Sequence, residues 1–160
     1  MIESSLTTQH KNSPGQALPL YPRIFDALSR RRYFTERLQH HLEEKLAAFR
    51  QDDFARADTI ETRIARLSRD IVFSMEETSS LLAGRSVEDY AGLLPEDLEA
   101  LLLSLAAETG RLEWLCLKAL NGITLFLKNR ETHVRQPVAT QSASHRQNIL
   151  SMAHQPAAIQ

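Results

Sequence analysis

Leu42–Leu67 reads LEEKLAAFRQDDFARADTIETRIARL. Two apolar series meet in this stretch and change phase at Arg50–Asp53. Upstream, Ile24, Leu28, Thr35, Leu38, Leu42, Leu46 and Phe49 fall on one face at helical spacing, while Arg30, Arg32, Glu36, Arg37, Glu43 and Glu44 fall largely elsewhere. That pattern predicts an amphipathic helix starting at Pro22, roughly 42 Å long at about 1.5 Å per residue. Downstream, Phe54, Ala57, Ile60, Ile64, Leu67, Ile71, Met75, Thr78 and Leu82 alternate steps of three and four, close to a heptad. Asp52 or Asp53 is suited to cap the second helix by accepting from its free N–H groups, and Gly84 to stop it. Two long amphipathic helices with so short a link predict an antiparallel hairpin.

Beyond the hairpin, "RSVEDYAGLLPEDL" connects to a third pattern. Ser86 with Asp89 has the spacing to cap one short turn around Val87–Ala91. Pro95 is placed for the first turn of a third helix, with Glu96 and Asp97 complementing its dipole. Leu98, Leu102, Leu105, Thr109, Leu112, Cys116, Ala119, Ile123 and Phe126 continue one register to about Arg130. That register passes over Asn121-Gly122, a pair that elsewhere signals a tight turn. A glycine in a helix interior costs about 1 kcal/mol against alanine, and asparagine roughly 0.6. Burying Ile123 and Phe126 fully returns roughly 1.5–3 kcal/mol each. The expectation is therefore one helix with a weak place in it. Residues 1–21 read as a flexible N-terminal extension, 22–131 as a single three-helix domain, and 132–160 as a flexible tail without Asp or Glu. In that tail "SHRQNILSMA" has capping-box spacing at Ser144 and Gln147, followed by Ile149, Leu150 and Met152. The fold class expected is all-α, a coiled-coil-like three-helix bundle.

Composition narrows the function classes. The chain has 160 residues and a net charge of −1, which disfavours a protein built around nucleic acid or an anionic membrane. Cys116 is its one cysteine, so neither an intramolecular disulfide nor a thiolate-rich metal site is available. The start, "MIESSLTTQHKNSPG", lacks the basic and apolar blocks of a secretory signal. No apolar run approaches the roughly 20 residues of a membrane span. A cytoplasmic protein is expected.

No stretch carries a catalytic pattern. Glu36, His40 and Glu44 share a helix face, but a solvated charged stripe explains them, and the di-metal bundles require Glu-x-x-His pairs that this sequence lacks. Cys116 lies in the apolar register of the third helix and reads as a small core hydrophobe. Arg30-Arg31-Arg32, with Tyr33 and Phe34 behind them, read as a solvated helix face, with a docking site for an acidic protein as the alternative. Trp114, the only tryptophan, counts to the edge of the bundle seam; an anchor for a partner is the second reading. Neither an enzyme nor a cofactor is expected.

Over roughly Leu38 to Glu131 the layout resembles the flagellar type III export chaperones of the FlgN type. The features that carry the likeness are the acidic turn Asp52-Asp53-Phe54, the stop Leu81-Leu82-Ala83-Gly84, the Pro-initiated "LLPEDLEALLLSLAAE", and Asn121 in "LKALNGITLFL". The N-terminal extension is longer than the family pattern, Gly122 after the asparagine is unusual, and no aromatic residue follows Phe126. The resemblance implies a non-enzymatic cytosolic chaperone for hook–filament junction proteins. It would deliver them to export gate or ATPase-complex components, with no nucleic acid and no membrane insertion. It places client binding at the end of the third helix and in the tail: Asn121, Gly122, Ile123, Leu125, Phe126 and Leu127, with Ile149, Leu150 and Met152 as an element that folds on contact. A helical adaptor, or a type III secretion component of another kind, is the alternative.

Overall fold

The computed structural model describes Gly15 and residues 17–152, with side-chain surroundings through Thr132. All described elements are helical: a 3-10 turn at Leu18–Leu20, α1 at Tyr21–Arg50, α2 at Phe54–Leu82, α3 at Val87–Ala91 and α4 at Glu96–Met152. The chain divides into two compact units, Met1–Ala119 and Leu120–Gln160. The division falls inside α4, not at the domain end expected near residue 131. A helix can cross it unbroken because its hydrogen bonds are local, from each N–H to the carbonyl four residues back.

The first unit is an up-down-up bundle. Ion pairs Arg30–Glu77, Lys45–Glu61 and Glu44–Arg56 join α1 to α2, and α2 numbers fall as α1 numbers rise. The hairpin is thus antiparallel, as its three-residue link requires. Helix α4 runs parallel to α1. Leu102 clusters with Ile24 and Leu28, Glu108 pairs with Arg32, and Cys116 meets Thr35. At the start of α1, Ile24, Leu28, Leu82, Tyr90, Ala91 and Leu102 form one buried cluster. Each such fully buried leucine or isoleucine contributes roughly 1.5–3 kcal/mol.

The boundaries have identifiable causes. Asp53 accepts from the backbone N–H of Arg56 at 3.0 Å and starts α2. Before it, Asp52 adopts φ 58, a left-handed conformation that aspartate tolerates better than most residues. Helix α2 stops because Ala83 (φ 49) and Gly84 (φ 84) are both left-handed. Ser86 caps α3 by accepting from Asp89 N–H at 3.0 Å. Pro95 immediately precedes α4 and its carbonyl accepts from Glu99 N–H at 2.9 Å.

Two expectations about the first unit need correction. Residues 17–21 belong to the fold and not to a loose extension: Ala17 is buried and its carbonyl accepts from the Tyr90 hydroxyl at 2.5 Å. A buried phenol needs a partner, and this backbone oxygen supplies it. In α2 the seam passes through Ser74 and not Met75; Ser74 is buried and Met75 exposed. Ser74 lies two heptads on from Ile60 and four residues before Thr78, both buried, whereas Met75 is one position off that register. The hydroxyls buried in the seam all bond within their own helix: Thr35 to Arg31 O, Ser74 to Asp70 O, Thr78 to Ser74 O and Thr109 to Leu105 O, at 2.8–3.0 Å. None needs a partner across the bundle, so small side chains sit there without a desolvation penalty.

The second unit begins at Leu120. The helix passes through Asn121-Gly122 with neither residue at positive φ, as the unbroken register requires. It extends to Met152, beyond the end expected near Arg130. No glycine follows Gly122, and Pro137 is the one strong breaker before Met152. Apolar periodicity ends near Arg130, yet backbone helicity depends on propensity as well.

Candidate partner-binding surface

The segment singled out from the sequence, Asn121–Leu127, is helical throughout, and its side chains divide into two sets. Ile123 is only 7% exposed and Phe126 and Gly122 are half-buried. Leu125 is 59% exposed; Leu127 and Asn121 are exposed as well. Among the described residues expected to contact a partner, Ile123 is the least accessible. It continues the heptad of Leu102, Thr109 and Cys116, all buried, and that register already accounts for it. The side chains of Ile149, Leu150 and Met152 lie outside the described residues; their backbone is part of α4.

Among the described residues of this unit, the exposed large apolar side chains are Leu120, Leu125 and Leu127. Leu120 and Leu127 are one heptad apart and share a stripe. At about 100° per residue, Leu125 stands roughly 140–160° around the helix from them, with Asn121, Thr124 and Lys128 between. Thr124 turns its hydroxyl back to Leu120 O at 3.0 Å, which leaves its methyl group outward. The exposed leucines thus lie on two sides of the helix, with polar side chains between them. The Leu120–Leu127 stripe suits the side of an amphipathic partner helix.

The first unit carries its own exposed apolar pair. Trp114 is 59% exposed with Lys118 Nζ 5.5 Å from its ring centre, and Leu117 is exposed one turn on. Trp114 stands well outside the seam. The heptad count placed it beside the core but did not reveal how much of the ring meets solvent.

The basic run is the main revision. Arg30, Arg31 and Arg32 do not form a solvated face or a docking patch. Arg30 binds Glu77 of α2 at 2.7 Å, Arg31 binds Glu113 of α4 at 2.5 Å, and Arg32 binds Glu108 of α4 at 2.8 Å. Three successive helical residues point about 100° apart, so α1 sends one cation toward α2 and two toward α4. Arg32 donates to Glu108 and holds its carboxyl below the usual carboxylate range. Sequence reading missed the pattern because the acidic partners lie 47 to 82 positions away.

Of the polar residues weighed for chemistry, Glu44 accepts from Arg56 at 2.8 Å and meets His41 Nδ1 at 3.3 Å. Those contacts, the Arg56 bond foremost, lower its pKa. Cys116 is buried, and its thiol donates weakly to Thr35 O at 3.6 Å. Burial pushes it up to about 11, with Glu113 and Glu43 adding to the effect. A thiol in that state is a poor nucleophile. Among the described residues no helix is long and apolar enough to cross a membrane.

Comparison with protein-family models, with curated proteins and with solved structures finds no match to this chain.

Proposed function

We infer that this protein is a cytosolic flagellar secretion chaperone. It covers the amphipathic terminal segment of a hook–filament junction protein and brings it to the type III export apparatus. The observation that supports the reading is the exposure of Leu120, Leu125 and Leu127 on a helix that runs on to Met152. Segments that assemble only after export expose apolar stripes beforehand and self-associate. An exposed leucine stripe on a helix shields such a segment without folding the client fully. Handover at the export gate then requires moderate affinity.

The test is size-exclusion chromatography with a purified junction subunit. The wild-type chain is expected to co-elute with it, and a chain carrying Leu120→Glu, Leu125→Glu and Leu127→Glu to elute alone. All three positions are exposed, so the bundle survives the substitutions. Co-elution of the triple variant removes these leucines from the client surface.

A helical adaptor of another kind is the second reading. The exposed Trp114–Leu117 pair favours it, because tryptophan is enriched among residues that dominate protein interfaces.

A further inference from the structure

Helices α1 and α2 enclose a groove of about 370 Å3. Tyr33, Phe34 and Arg37 of α1 and Arg63, Arg66 and Asp70 of α2 are among the residues lining it. Three guanidinium groups face one carboxylate there, while the whole chain has a net charge of −1. The other arginines that link helices are neutralised: Arg30, Arg31, Arg32 and Arg56 each pair with a glutamate. Arg63 and Arg66 are exposed and make no ion pair among the described residues. Arg37 donates to the Tyr33 hydroxyl at 2.8 Å and lies 5.7 Å from the centre of its ring. The ring is thereby held beside the cations, and Tyr33 and Phe34 stack edge-on at 5.7 Å.

We propose that this groove docks an acidic helical segment of a partner protein, with Arg63 and Arg66 holding its carboxylates and Tyr33 and Phe34 receiving an apolar side chain. Charge complementarity selects the occupant. Arg63 and Arg66 are three residues apart on α2, which places them about 5–6 Å apart along one face. That spacing matches two carboxylates one turn apart on a partner helix. A guanidinium fork donates two parallel N–H bonds to a carboxylate, and the neighbouring rings offer apolar surface beside the pairs. The chain's own C-terminal stretch is not the occupant, since residues 132–160 contain neither Asp nor Glu. Nucleic acid fits poorly, because a backbone of evenly spaced phosphates calls for a long basic track and not a short groove. The groove is built wholly by α1 and α2 and shares no residue with Asn121–Leu127, so it stands or falls apart from the client reading.

The probe is a fluorescein-labelled synthetic helix with Glu pairs one turn apart flanking Leu, titrated with the full chain and followed by anisotropy. The acidic helix is expected to bind, more weakly as salt rises. Its Glu→Gln counterpart, and the R63Q/R66Q chain with the acidic helix, are each expected to bind at least about tenfold more weakly. Substitution of Arg23, exposed and outside the groove, by Gln is expected to leave binding unchanged. Circular dichroism confirms that each variant is folded. The proposal is overturned if the acidic helix does not bind, if R63Q/R66Q binds it as well as wild type, or if a single-stranded oligonucleotide of equal charge binds more tightly than the peptide.

Discussion

Arg31 grips Glu113 with two nitrogen atoms on one carboxylate oxygen, Nε at 2.7 Å and Nη2 at 2.5 Å, and so joins α1 to α4. Both side chains are largely covered, at 21% and 36% exposed. A double-mutant cycle with Arg31→Ala and Glu113→Ala, read by urea denaturation, is expected to give a coupling of about 0.5–1 kcal/mol after allowance for solvent screening. Additive single effects would show that the pair contributes nothing to holding α4.

Cys116 is expected to resist thiol reagents at neutral pH in the folded chain and to react fully once the chain is unfolded. Its thiol is buried and pushed up to about 11, which leaves little thiolate. The rate of reaction with a disulfide reagent, with and without urea, measures this. Equal rates would mean that the α1–α4 seam is open at Thr35.

Tyr90→Phe removes the hydroxyl that donates to Ala17 O. The expected loss is about 0.5–1.5 kcal/mol. It is confined to the low end because Leu20 N–H still bonds the same carbonyl at 3.1 Å. Hydrogen exchange is expected to rise first at residues 17–21, before the hairpin.

Acid is expected to weaken the bundle through Glu44 and Glu108. Both have folded pKa values lowered by hydrogen bonds, from Arg56 and Arg32 respectively. A lowered folded pKa means stability that is fully present above the ordinary value of about 4.3 and lost as pH falls through the folded pKa. Urea midpoints measured from pH 6 downward are expected to stay level and then drop below about pH 4.3. The drop is expected to be shallower in an E44Q/E108Q chain.

The hairpin, the caps at Asp53 and Ser86, the stop near Gly84 and the unbroken passage through Asn121-Gly122 were all legible in the sequence. Each depends on neighbours within a turn or two. The basic triplet was not, because its meaning rests on Glu77, Glu108 and Glu113, which only the tertiary fold brings near. Nor was the docking of Ala17, which depends on Tyr90 far along the chain. Ser74 displaced Met75 because hydrophobicity was used to choose between adjacent positions, whereas helix phase decides which one faces inward. At the candidate surface, the register already marked Ile123 as inward; the exposed pair Leu125 and Leu127 required the fold to separate them from it.

Gly110→Ala is expected to stabilise the chain by roughly 0.5–1 kcal/mol, since Gly110 is helical, exposed and free of any atom within 4 Å of a new Cβ. A raised thermal midpoint checks this. Gly122→Ala, in the candidate surface, is expected to raise stability similarly; a loss of client binding beside it would show that a partner's backbone approaches closely at that glycine.

Isothermal calorimetry of the full chain with a purified hook–filament junction subunit tests the central proposal most directly. The account predicts saturable binding of moderate affinity at a stoichiometry of 1:1 or 2:1, abolished by glutamate at Leu120, Leu125 and Leu127. Absence of binding to any junction-type subunit would contradict it.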